Sequence, residues 1–192
     1  MMLGTLPGTT IEVSAIEKDG VRHVLSHIFS AGGVVLSQIA RMTGLEPHTI
    51  QNWVKRGYLS SPKHRQYSER QFARVVIINL LRRSMQLDEI VDLLSYINGK
   101  LSDEADDSVD DTSLYCMFCN ILCAIGERYP TPEVIKEATE HELADFAERT
   151  AGDKKRIGKV LSVMVYAYLS DAARRRIDHL LRGLDYRRLP VC

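Results

Sequence analysis

Three thiols stand first among the groups that could do chemistry. Cys116, Cys119 and Cys123 occupy positions i, i+3 and i+7. On a helix they would share one face and could offer soft thiolate ligands to a metal, or an oxidisable cluster to a redox signal. The same spacing also suits a packed helix, because the cysteines interleave with Phe118 and Leu122 and an uncharged thiol packs as a small hydrophobe. No second Cys-x-x-Cys pair completes a zinc set, so structural burial is the expected use, and Cys192 is expected to be unpaired. The histidines, His23, His27, His48, His64, His141 and His179, include one i, i+4 pair at His23 and His27, which by itself is a weak metal signal. Neither a phosphate-cradling glycine loop nor a nucleophile elbow occurs. The reading is of a chain that is not an enzyme, with no catalytic residue, metal or cofactor.

A second group of residues suits recognition better than bond making. Leu36, Ile39, Ala40 and Met42 space a short amphipathic helix, Thr43-Gly44-Leu45 a tight turn, and Pro47 to Lys55 a second helix with proline in its first turn. Two short helices about a glycine-bearing turn read as a helix-turn-helix. With Leu45, Ile50 and Trp53 closing a small core, the second helix presents His48, Thr49, Gln51, Asn52 and Lys55, a set rich in donors for base edges and phosphates. Arg56-Gly57 ends that helix, and the polar stretch from Ser60 to Tyr67 reads as a short wing. Lys63, His64 and Arg65 would reach phosphates from it, as Arg56 would from the helix end. Tyr67 would anchor the wing by packing and by a hydrogen bond to phosphate.

The run from Leu36 to Leu94 resembles a MerR-family DNA-binding domain, in the pieces LSQIARMTGLEPHTI, KRGYL, RQYS and LDEIVDLL. The stretch TIQNWVKRGYLSSPKHRQYS is similar, more closely, to an uncharacterised family of Firmicutes proteins that carry this domain. The resemblance covers about 60 residues and implies a winged helix-turn-helix, a homodimer and a near-palindromic DNA site. Gln51, Asn52 and Trp53 stand where MerR proteins carry an arginine and paired aromatics, so the family's base preferences do not transfer.

Charge divides the chain along similar lines. Residues 34–86 hold nine Lys or Arg against two acids, residues 87–150 four against sixteen, and residues 151–192 ten against four. A basic block beside an acidic one suits a phosphate-facing module joined to a segment that avoids DNA. The expected organisation is an N-terminal arm over 1–33, with a short helix from Val21 to Phe29, then the winged domain over 34–97. An acidic linker over 98–112 and a helical dimerisation or effector domain over 113–192 follow, the last with a cap at Ser170-Asp171. The fold expected is mainly α, and the dimer contact should lie C-terminal to Leu94. Without an apolar run long enough to span a bilayer, or a signal pattern, a cytoplasmic protein with no membrane partner is expected. The function expected is transcriptional regulation on double-stranded DNA, with an unidentified effector at the C-terminal domain. The alternative is a protein-interaction module that scaffolds an assembly without DNA.

Overall fold

Helical periodicity dominates the computed structural model, which describes residues 4–13, 18–99, 107–126 and 128–183. In chain order these hold α1 (Gly20–Ile28), β1 (Val34–Val35), α2 (Leu36–Thr43), α3 (Pro47–Lys55), β2 (Gln66–Tyr67), α4 (Glu69–Leu81), α5 (Leu87–Asn98), α6 (Asp111–Ile125), α7 (Pro132–Glu142) and α8 (Asp153–Gly183). The chain is mainly α. Among the described residues one two-stranded ribbon pairs β1 with β2 antiparallel, Val34 opposite Tyr67 and Val35 opposite Gln66. No described helix is long and apolar enough to cross a membrane.

Two helices hold the centre. A reciprocal cap starts α4, where Ser68 Oγ accepts from the Gln71 amide at 3.2 Å and Gln71 Oε1 accepts from the Ser68 amide at 2.9 Å. From Phe72 to Leu81 every residue is buried, Arg74 and Asn79 included. A helix lying on a surface would bury a single stripe, so α4 is enclosed by its neighbours α2, α5, α6 and α8. Asp110 starts α6 by accepting from the Ser113 amide at 3.0 Å. That helix buries Leu114, Phe118, Ile121, Leu122 and Ile125 against α1, α4, α7 and α8.

The organisation differs from the sequence expectation in three places. Residues 4–13 of the arm are folded in: Leu6 is fully buried, Tyr115 Oη donates to the Pro7 carbonyl at 2.7 Å, and Asn79 Nδ2 donates to the Gly8 carbonyl at 2.9 Å. Gly8 is required there, since at φ 75° a Cβ would stand 2.8 Å from the Val76 carbonyl oxygen.

The described part of the acidic segment, 107–112, also packs inside. Asp107 pairs with Arg70, and Asp111 lies 3.2 Å from Arg74 Nε and 3.6 Å from Arg70 Nε. Ser108 Oγ donates to Asp153 Oδ1 at 2.9 Å, and Asp153 is itself wholly buried at the start of α8. The remaining linker residues, 100–106, lie outside the described residues. Among the described residues one hydrophobic cluster runs from Leu6 to Ala167.

Finally, α8 continues through Ser170-Asp171 without a new cap. Asp171 instead faces Arg175 at 2.5 Å, one turn on, and Arg83 of the turn after α4 at 3.6 Å.

Candidate functional site

The residues singled out for recognition fall on α3 and on the loop that follows it. Gly44 ends α2 at φ 68°, a left-handed conformation that costs glycine little. The Thr10 amide donates to the Met42 carbonyl at 2.8 Å, and Thr10 Oγ1 donates to the Arg41 carbonyl at 2.7 Å, so the arm braces the turn. Pro47 opens α3, and Ile50 and Trp53 bury one face of it. His48, Gln51, Asn52 and Lys55 are exposed, and Thr49 is half-buried.

The loop after α3 closes on a tight turn. His64 and Arg65 both have positive φ, 51° and 64°, and the Gln66 amide donates to the Lys63 carbonyl at 2.8 Å. Left-handed conformation at both central residues with a closing hydrogen bond is the geometry of a type I′ turn. Glycine or asparagine usually fills such positions, because a Cβ in the left-handed region costs about 1–2 kcal/mol. Here two residues with long polar or basic side chains fill them, and Lys63, His64 and Arg65 all stand exposed at the tip. Two features hold the loop in place. Gln71 Nε2 donates to the Ser60 carbonyl at 2.9 Å and the Ser61 carbonyl at 3.1 Å, and β2 is paired to β1.

Two of the expected residues are otherwise engaged. Tyr67 is only 4% exposed, and burial raises its phenol pKa, so it packs in the core and has little surface to offer a phosphate. Arg56 lies 4.6 Å over the Tyr58 ring and 3.8 Å from Asp88 of α5, and Tyr58 Oη donates to the same carboxylate at 2.5 Å. The hydrogen bond to Asp88 holds the Tyr58 phenol above its ordinary pKa. Sequence reasoning missed this tie because Asp88 lies thirty residues downstream of Tyr58.

The thiols lie elsewhere, on α6. Cys116 and Cys119 are buried and Cys123 is half-buried. Burial pushes the Cys116 thiol up to about 11, Cys119 well above its ordinary range, and Cys123 upward as well. Among the described residues no group of three His, Cys, Asp or Glu is placed to hold a metal ion. His23, His27, His141 and His179 are exposed on separate helices or turns of them, and Cys192 lies outside the described residues. A raised thiol pKa means that the folded chain holds the proton more tightly than the unfolded chain. The stability Cys116 contributes is thus whole below the ordinary thiol value of 9.0 and is lost as pH rises toward about 11. Alkylation of the folded protein by iodoacetamide at about pH 8 is expected to label Cys123 before Cys116 and Cys119. Rapid labelling of Cys119 in the folded state would overturn its structural role.

Residues 24–118 match a domain of unknown function (DUF1836). The match starts in α1 and ends in α6, crossing the acidic segment. The chain is also 25% identical over 149 residues to the uncharacterized protein YkrK of Bacillus subtilis (strain 168), over 71% of this chain and 64% of that protein. It therefore spans less than two thirds of the length of the curated relative it matches. No solved structure matches. Both matches support the resemblance to an uncharacterised Firmicutes family.

Proposed function

We propose that this chain is a DNA-binding transcriptional regulator acting as a homodimer, with residues 34–67 as the reading part of a MerR-like winged helix-turn-helix. The observation that carries the reading is the Lys63–Gln66 turn, where His64 and Arg65 hold left-handed backbone that glycine would hold at lower cost. Strain kept at an exposed, basic tip is accounted for if those side chains have a partner, and phosphate suits them. The exposed donors of α3, Gln51, Asn52 and Lys55, supply the groups that would meet base edges.

The second reading is a protein-interaction module without DNA. It gains from Arg70 and Arg74, two of the basic residues that made 34–86 look phosphate-facing, being spent on internal carboxylates. Anisotropy titration of a generic labelled duplex at a series of salt concentrations separates the two. A regulator shows log Kd rising with log salt by about 0.9 for each phosphate contacted. An interaction module shows no saturable binding. Selection of bound fragments from the host genome would then supply the operator.

The outer part of α8 supports the dimer. Ile177, Leu180 and Leu181, spaced i, i+3 and i+4, are 54%, 53% and 43% exposed, a stripe left open among the described residues. Light scattering of the full chain is expected to give a dimer. Ile177→Glu with Leu181→Glu is expected to give a folded monomer with an unchanged circular dichroism spectrum, because neither side chain enters the core, and with a melting temperature that no longer depends on protein concentration. A dimer that survives both substitutions would place the interface elsewhere.

A further inference from the structure

A groove of about 900 Å³ runs between α7 and α8, distant in sequence from the recognition residues. It lies within the range of small-ligand sites, about 300–1,000 Å³. Gly158 brings the two helices together: a Cβ there would stand 3.4 Å from Leu143 Cδ1 and 3.7 Å from Thr139 Cγ2. These contacts, with Lys154 Nζ donating to the Ala144 carbonyl at 2.8 Å, run the two helices antiparallel. One end of the groove is therefore walled by Leu143, Lys154 and Lys155, and the other by Pro132, Val163 and Tyr166.

The two ends differ in character. Val163 and Tyr166 are 37% and 46% exposed, so the far end leaves apolar surface uncovered. The near end is cationic. Lys154 there is held by the Ala144 carbonyl, but Lys155 and Lys159, one turn apart on α8, have neither an ion pair nor a hydrogen bond among the described residues, while Lys136, toward the Pro132 end, has its charge met by Glu140 at 3.8 Å. Four lysines line the groove against a single glutamate. From Lys155 to Tyr166 the helix rises about 16 Å. We propose that this groove binds a free amphiphilic anion, an alkyl chain ending in carboxylate, with its head at Lys155 and Lys159 and its chain along Val163 and Tyr166. A cationic amphiphile would meet the lysines as like charges. A small anion without a chain would leave the apolar end wet. Occupancy as the effector signal rests on the regulator reading, since α8 also carries the exposed stripe at Ile177 and Leu181. Binding itself does not.

Isothermal titration calorimetry of the full chain without DNA tests binding alone. Dodecanoate is expected to saturate a single site, whereas dodecyltrimethylammonium and acetate are expected not to saturate. Lys155→Glu with Lys159→Glu is expected to weaken dodecanoate by about tenfold or more, with circular dichroism unchanged because both lysines are exposed. Tyr166→Ser is expected to weaken it from the apolar end. Equal dodecanoate affinity in the charge-reversed chain, no saturation by dodecanoate, or association only with phosphatidylglycerol vesicles would each overturn the proposal. Duplex titrations on the same preparations, with and without dodecanoate, show whether the regulator reading stands or falls separately.

Discussion

Arg74→Ala is expected to lower the free energy of unfolding by about 3 kcal/mol or more, the cost of leaving one member of a buried ion pair without its partner. Arg74 and Asp111 have side chains only 9% and 2% exposed, on the two central helices α4 and α6. Their contact, Nε to Oδ2 at 3.2 Å, is close but not aligned as a hydrogen bond, and Asp111 Oδ1 also has no hydrogen-bond partner. Burial pushes the Asp111 pKa above the ordinary carboxylate range while Arg74 and Arg70 pull it back. Without Arg74, Asp111 keeps Arg70 at 3.6 Å and takes up a proton more readily, which holds the cost toward the lower end of the range for such pairs. Arg74→Met with Asp111→Leu removes both charges and is expected to recover most of the loss, since apolar replacement of a buried pair is often neutral or stabilising. Urea denaturation is the measurement. A single cooperative transition should move as a whole, because α4 and α6 share one core. Two separate transitions would mean that the halves fold apart, and a change below about 1 kcal/mol for Arg74→Ala would mean that Asp111 is accommodated without Arg74.

That cluster also marks where sequence reading fails. The short helices α2 and α3 with their Gly44 turn were legible because every signal for them is local: a spacing of three and four, a proline at the start, a glycine at the stop. The helical cores of α4, α5 and α6 were legible in the same way. The acidic segment was not. Asp107 and Asp111 look like solvated charge until Arg70 and Arg74, some forty residues earlier, are brought against them. Leu6 belongs to no periodic run, so its burial under α4 and α6 had no local sign. Ser170-Asp171 has the composition of a cap, yet α8 passes through it because Asp171 finds Arg83 and Arg175 outside the backbone. In the candidate site, periodicity found the exposed face of α3. It could not find the left-handed pair His64-Arg65, because no glycine announces that turn, nor the engagement of Arg56 with Asp88.

Substitutions at the candidate interface are expected to separate into two phenotypes if the regulator reading holds. Gln51 and Asn52 stand exposed on α3 opposite the buried Ile50 and Trp53, where a helix laid in a major groove presents its base-reading side chains. Gln51→Ala or Asn52→Ala should cost about 1–3 kcal/mol on the selected operator and little on random duplex, because base contacts carry the discrimination. Lys63→Ala and Arg65→Gly should weaken both kinds of duplex and reduce the salt slope by about one each, because a lost phosphate contact releases fewer counterions. Arg65→Gly adds a control that alanine could not. At φ 64° the change relieves a left-handed strain of about 1–2 kcal/mol, against a glycine entropy cost of about 0.5–1 kcal/mol. Stability should therefore hold or rise while affinity falls, so the loss cannot be assigned to unfolding. The measurements are anisotropy titrations of the operator and a scrambled duplex across a salt series, with melting temperatures for each variant. Unchanged affinity and salt slope in a folded Arg65→Gly protein would remove the wing from the interface. If Gln51→Ala, Asn52→Ala and Lys63→Ala are silent as well, α3 reads no DNA and the interaction-module reading takes its place.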